Sequence, residues 1–211
     1  MQQNRKAFYE LNKKHIKSTY FNLFILLTFV FIALILYAYF YQETLVSLKW
    51  LILGLLLIVV FPALGIAEHN YVWNRKNRYK NDLLQMLPYK ELHKIGFENE
   101  TVLKNSKNYK SYIKYAIIND IQVLFDVNKP NVAEFIILCD TTKLGTRELL
   151  EIIKEFKKEK FFIDSYMVKR EINHNKEKLS LEEITAILNN LTEKVKMNNF
   201  PILNLTEEGE Y

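Results

Sequence analysis

Two long stretches without a charged residue decide most of what this chain can become. Ser18 to Gln42 contains no Lys, Arg, Asp or Glu, and neither does Trp50 to Ala67. The first apolar run, Tyr20 to Tyr41, has 22 residues, of which only Asn22 and Thr28 are clearly polar. At ~1.5 Å per residue such a helix spans ~33 Å, the thickness of a hydrocarbon core. The second run, Trp50 to Ala67, has 18 residues and can be extended by Leu48. Two such runs back to back predict a pair of membrane spans. A signal peptide fits the first run poorly. Its apolar stretch exceeds the roughly 7–15 residues of a signal core, and Tyr41, Gln42 and Glu43 offer no small-residue cleavage site.

The connector from Gln42 to Lys49 is eight residues long, which makes the expected arrangement an antiparallel hairpin. Orientation follows from basic residues beside the spans. Arg5, Lys6, Lys13, Lys14 and Lys17 precede the first, and Arg75, Lys76, Arg78 and Lys80 follow the second. The connector holds Lys49 alone. Both termini are therefore expected in the cytoplasm, with these nine cations as membrane-surface contacts. Tyr20, Tyr39, Phe40, Tyr41, Trp50 and Trp73 are of the aromatic types that favour headgroup depth.

Charge is distributed unevenly. The whole chain of 211 residues carries a net +5. Residues 1–80 hold ten Lys/Arg against Glu10, Glu43 and Glu68, a net +7, and residues 81–211 hold 19 against 21 acids, a net −2. The basic balance thus belongs to the membrane flanks and accounts for itself through anionic lipid. No nucleic-acid polymer is needed as a partner. Neither span contains an ionisable group, which argues against a pump, proton channel or ion-coupled transporter. Gly54, Ala63, Gly65 and Ala67 permit close helix approach, and Pro62 interrupts the second span near its end.

The expected organisation is a basic N-terminal segment (1–19), a first span (20–41), an external loop (42–49), a second span (50–67), a basic helical extension (68–81), a cytoplasmic domain (82–200) and an acidic tail (201–211). Within the domain, Leu83, Leu84 and Leu87 form a short apolar face, and Pro88 opens a helix ended by Gly96. Alternation predicts strands over Tyr109 to Ile118, Ile121 to Val127 and Val132 to Cys139, joined by turns at Asn119-Asp120 and at Asn128 to Asn131. Leu149, Ile152, Ile153 and Phe156 recur at helical spacing after a cap at Thr146. The opposite face offers Glu151–Lys154 and Glu155–Lys158 as pairs. One strand is expected over Phe161 to Ile172. Ser180 to Glu183 reads as a capping box for a final helix that ends at Asn198-Asn199. The fold class is α+β, in the order α-βββ-α-β-α, with helices on one face of an antiparallel sheet. This element order is similar to that of small partner-binding domains such as secretion-chaperone-like folds.

Motifs for chemistry are scarce. His15, His69, His93 and His174 share no metal-ligand spacing, and HExxH, CxxC, GxSxG, P-loop and GxGxxG patterns are missing from the sequence. No metal, no cofactor and no catalytic residue is expected, and the chain is read as other than an enzyme. Cys139 is the one cysteine, a small core residue at the end of a strand. Asp120 and Asp140 read as turn and cap residues. The one speculative ligand site is Tyr112 flanked by Lys110 and Lys114, an aromatic between cations able to stack on and neutralise a nucleotide. The first functional expectation is a bacterial inner-membrane protein whose cytoplasmic domain binds a protein partner, as a scaffold subunit or a toxin-immunity protein would. The alternative is a ligand-gated effector of antiphage defence, sensing a small nucleotide-like signal and assembling its hairpins as a homo-oligomer that disrupts the bilayer.

Overall fold

A computed structural model describes residues 2–41, 46–104, 109–203 and 205. It divides into a helical unit (residues 1–74 with 106–109) and a sheet unit (residues 75–105 with 110–211).

The helical unit is built on α1 (Gln2–Tyr41) and α2 (Leu48–Leu84), whose final turns, from Arg75 on, belong to the sheet unit. Helix α1 reaches back through the basic segment almost to the N-terminus, so its 40 residues extend for ~60 Å. Both helices are long and apolar enough to cross a membrane. They pack antiparallel. Phe8 meets Trp73 at 5.7 Å between ring centroids, the Tyr20 hydroxyl donates to the Val59 carbonyl at 3.3 Å, and Phe31 lies against Gly54. The Gly54 contact has a steric reason. A Cβ placed there would stand 2.0 Å from Phe31 Cε2, so only glycine admits the ring without a shift. The buried side of α2 runs through Ile58, Pro62, Ile66 and Trp73, at helical spacing. Away from that stripe the apolar residues stay exposed, Phe21, Phe29, Leu34, Leu55 and Leu64 among them.

In the sheet unit α2 ends at Leu84, and a 3-10 helix (Tyr89–Ile95) follows. Gly96 closes it at φ 96°, the left-handed conformation glycine supplies without strain. The stop at Gly96 matches the sequence reading, but the expected helix after Pro88 winds as 3-10. Leu83 and Leu84 belong to the end of α2, and Leu87 is exposed. The described strands are β1 (Asn99–Lys104), β2 (Lys110–Ile118), β3 (Ile121–Lys129), β4 (Val132–Leu138), β5 (Phe161–Asp164) and β6 (Met167–Asn173). All pair antiparallel in the order β1-β2-β3-β4-β6-β5. The β2–β3 turn uses Asn119 and Asp120 at φ 49° and 61°, as a two-residue hairpin turn of the right hand requires. Two expectations need correction. Strand β1 was absent from the sequence reading, and the single strand expected over Phe161 to Ile172 is a hairpin that turns at Ser165-Tyr166.

A second 3-10 turn (Thr141–Lys143) is capped by Asp140, whose carboxylate accepts from the Thr142 amide. Helix α3 (Thr146–Lys158) has Gly145 rather than Thr146 at its N-cap. Helix α4 (Leu181–Met197) carries the full Ser180–Glu183 capping box. Its Ile184, Leu188, Leu191 and Val195 join Ile152 and Phe156 of α3 and Leu92 of the 3-10 helix over one sheet face. That face presents Ala116, Val123, Phe125, Phe135 and Val168. Alternation explains the choice, because side chains two apart on a strand share a face. The expected Glu155–Lys158 pair yields to a longer-range one. Lys194 of α4 reaches Glu155 at 2.7 Å and Glu159 at 3.0 Å, tying α4 to α3. On the opposite sheet face a smaller cluster of Ile113, Leu124 and Ile136, flanked by Leu103, Tyr115, Leu138 and Met167, packs with Leu205.

Candidate functional site

The residues singled out from sequence occupy β2 together. Lys110, Tyr112 and Lys114 share one side of the strand by alternation. Both lysines have interaction partners, whereas the Tyr112 ring stays open to solvent. Lys114 pairs with Glu100 of β1 at 3.6 Å, and Lys110 has an interaction of its own. Tyr112 keeps a half-exposed ring, while its carbonyl accepts a 2.8 Å hydrogen bond from the Lys80 ammonium. Lys80 is the surprise among the basic residues. Expected at the lipid surface, it is only 8% exposed and packs within the sheet unit. Burial lowers its pKa, and the nearby Asp126 and Glu100 carboxylates pull it back up in part. Arg78, by contrast, is exposed and loosely paired with Asp82 at 3.8 Å, and Lys13, Lys14 and Lys17 are exposed on α1. The side chains of Arg5 and Lys6 lie outside the described residues.

A more convincing site lies at the β5–β6 edge, in a cleft of about 330 Å³. Strand ends and one loop assemble it. Lys129 closes β3, Lys160 precedes β5 at φ 62°, Arg170 and Glu171 come from β6, and Lys176 and Glu177 come from the loop beyond. Phe162 of β5 supplies an exposed apolar wall. The two acids are held by cations. Glu177 accepts from Arg170 and lies 3.4 Å from Lys160, while Glu171 accepts from Lys169 at 2.6 Å and lies 4.0 Å from Lys129. Both carboxylates are held below their ordinary range, in Glu177 by Arg170 and Lys160 against the opposing effect of burial, and in Glu171 mainly by Lys169. Four cations therefore line the cleft against two ionised acids. Arg170 is buried and fixed by Glu177 and the Glu171 carbonyl, so it orients the wall. Lys129, Lys160 and Lys176 are exposed and able to swing toward an incoming anion. The sequence reading missed this grouping because it left the β5–β6 strand unbroken, which keeps Lys160 and Lys176 apart.

Glu134 stands between Asp126 and Glu171 in register on the neighbouring strands. It is 4% exposed, and desolvation raises its pKa against the hydrogen bond it accepts from Asn128 at 2.7 Å. Among the described residues no group of His, Cys, Asp or Glu is placed to hold a metal ion. Cys139 is fully buried, and burial pushes its thiol up to about 12, which leaves it protonated and unreactive at neutral pH. Compared with known proteins, the chain matches no protein family, no curated protein and no solved structure.

Proposed function

We propose that this chain is a two-span membrane protein whose sheet unit, on the cytoplasmic side of a bacterial inner membrane, binds a partner protein through an anionic segment. The observation that carries this reading is the pair of long helices whose apolar residues remain exposed, beside a sheet unit that covers its own core. Exposed apolar area on that scale needs lipid or another protein against it. The basic flanks, set against a connector whose one basic residue is Lys49, support cytoplasmic termini.

The binding surface is assigned to the β5 edge. An edge strand offers unpaired backbone groups to an extended segment. Beside β5 the cleft adds the cations Lys129, Lys160 and Lys176, which complement acidic side chains. A scaffold subunit and a toxin-immunity protein both need a membrane-held surface of this kind. The test is a pull-down of the full-length protein in mild detergent, with mass spectrometry of proteins and small molecules in the eluate. A stoichiometric protein that is lost in the Lys160→Glu, Lys176→Glu double variant supports the reading. No protein partner with the wild type, or a partner retained by the double variant, contradicts it.

The concave, cationic cleft with Phe162 on its wall also favours a second reading, a ligand-gated effector that senses a nucleotide-like anion and perturbs the membrane as an oligomer. That reading requires a co-purifying small anion and depolarisation of cells on expression with it. A charge in the second span, Gly54→Glu, must then abolish the depolarisation.

A further inference from the structure

Gly54 and Gly65 of α2 are eleven residues apart, about three helical turns, so they face the same way. Their surroundings differ. Gly54 is packed tightly by Phe31, whereas a Cβ at Gly65 would meet nothing within 4 Å. Close helix approach therefore explains Gly54 and leaves Gly65 without a packing role. The space beside Gly65 is a cavity of about 230 Å³ within the helical unit. That is room for roughly seven waters at ~30 Å³ each, or for one small polar group of a larger ligand.

The lining is graded along the helices. From α1 it takes His15, Thr19 and Leu23, one face at successive turns. From α2 it takes Pro62, Gly65, Ile66 and His69, again one face. Tyr109 completes it. One end is thus apolar and the other carries two imidazoles, a threonine hydroxyl and a phenol. The polar groups are ordered. His15 Nε2 lies 3.4 Å from Thr19 Oγ1, and the Tyr109 ring meets His15 edge-on, with centroids 4.7 Å apart, and His69 at a tilt, with centroids 4.3 Å apart. Phe8 stacks on Tyr109 at 5.7 Å and fixes it further. Burial raises the Tyr109 pKa, so its phenol keeps its proton. No carboxylate lines the cavity.

The change from apolar to polar falls where the uncharged runs end, since Thr19 directly precedes Tyr20 and His69 follows Ala67 by two residues. We infer that this cavity binds the phosphate–glycerol region of a membrane phospholipid. The phosphate lies among His15, Thr19 and His69, and the first acyl carbons lie against Leu23, Pro62 and Ile66. Anionic lipid is preferred, because exposed Lys13, Lys14 and Lys17 lie on the same stretch of α1 and are opposed by Glu10 and Glu68 alone among nearby acids. The inference rests on the membrane reading above.

The test uses full-length protein purified in detergent, stripped of lipid, then offered phosphatidylglycerol, phosphatidylcholine or inorganic phosphate and read by native mass spectrometry. Wild type is expected to hold one phosphatidylglycerol per chain at least about tenfold more tightly than phosphatidylcholine. Gly65→Leu, which fills the cavity, and the His15→Gln, His69→Gln double variant are each expected to lower that occupancy about tenfold. Phe29→Ala, on the exposed side of α1, is expected to leave it unchanged. Melting temperatures measured in the same detergent show that the variants are folded. Displacement of lipid by millimolar phosphate locates recognition in the phosphate itself. Equal retention in wild type and both cavity variants overturns the site while leaving the spans intact. A chain that stays monodisperse in buffer without detergent overturns the membrane reading instead.

Discussion

The two units treat the same side chains in opposite ways. Phe29 on α1 is 69% exposed, whereas Phe125 at the centre of the sheet is fully buried. In the sheet unit apolar residues turn inward and ion pairs such as Glu155–Lys194 lie outside. In the helical unit the buried side holds Phe8, Ile58, Pro62, Ile66 and Trp73, while Phe21, Phe29, Leu34, Leu55 and Leu64 face outward. The hydrophobic effect is one force, and it sorts residues by the solvent each surface meets.

That contrast can be broken by substitution. The largest expected effect is in the sheet core. Phe125→Ala, which removes a ring packed on Tyr89, Phe97 and Phe135, is expected to cost about 3–5 kcal/mol in denaturant unfolding of the detergent-solubilised protein. The chemically identical change Phe29→Ala is expected to cost under about 0.5 kcal/mol. Equal losses would mean that the outer face of α1 is packed against protein. Next, Gly54→Leu forces the Phe31 ring aside, and overpacking of this kind is expected to cost about 1–3 kcal/mol. Gly65→Leu on the same face is expected to be tolerated, so the order of the two melting temperatures checks the difference directly. A smaller change follows at α4. Ser180→Ala removes the hydroxyl that accepts from the Glu183 amide, and about 1 kcal/mol is expected to be lost.

The smallest effect is expected from Lys80 and appears in the pH profile. Its folded pKa is lowered beneath 10.5, mainly by burial. In the window between that lowered value and 10.5 the unfolded chain binds more protons than the folded one, so this group makes stability rise as pH rises. Below the window both states are protonated, and the charged ammonium remains buried. Lys80→Met is therefore expected to flatten the alkaline rise seen in urea unfolding across pH 8 to 11. A slope unchanged by the substitution would show that Lys80 titrates as an exposed lysine.

Local chemistry was readable from sequence where one residue type admits one geometry. Asn119-Asp120, with both φ values positive, and the Ser180–Glu183 box were visible before the structure. Strand β1 was not, because Asn99, Glu100 and Lys104 make it an edge without a strong apolar pattern. The β5–β6 hairpin escaped because its turn signal is confined to Asp164-Ser165, between apolar runs that read as one strand, with no Gly, Pro or Asn to break them. The basic cleft then escaped with it. His15, His69 and Tyr109 are distant in sequence, and Tyr109 fitted the alternation of the strand that follows it. The packing of Tyr109 against both α1 and α2 brings these three together. Lys80 looked like one more flanking cation, and its burial depends on a strand carbonyl 32 residues away.

The central claim is that the helices cross a membrane with both termini on the cytoplasmic side. Single cysteines at Ser47, Lys14 and Thr142, all exposed, test it with a membrane-impermeant maleimide on intact spheroplasts and again after lysis. Native Cys139, buried and protonated, stays silent under both conditions. The expected result is labelling of Ser47→Cys in intact spheroplasts, with Lys14→Cys and Thr142→Cys labelled only after lysis. The reverse pattern, or identical labelling of all three positions, would contradict the account.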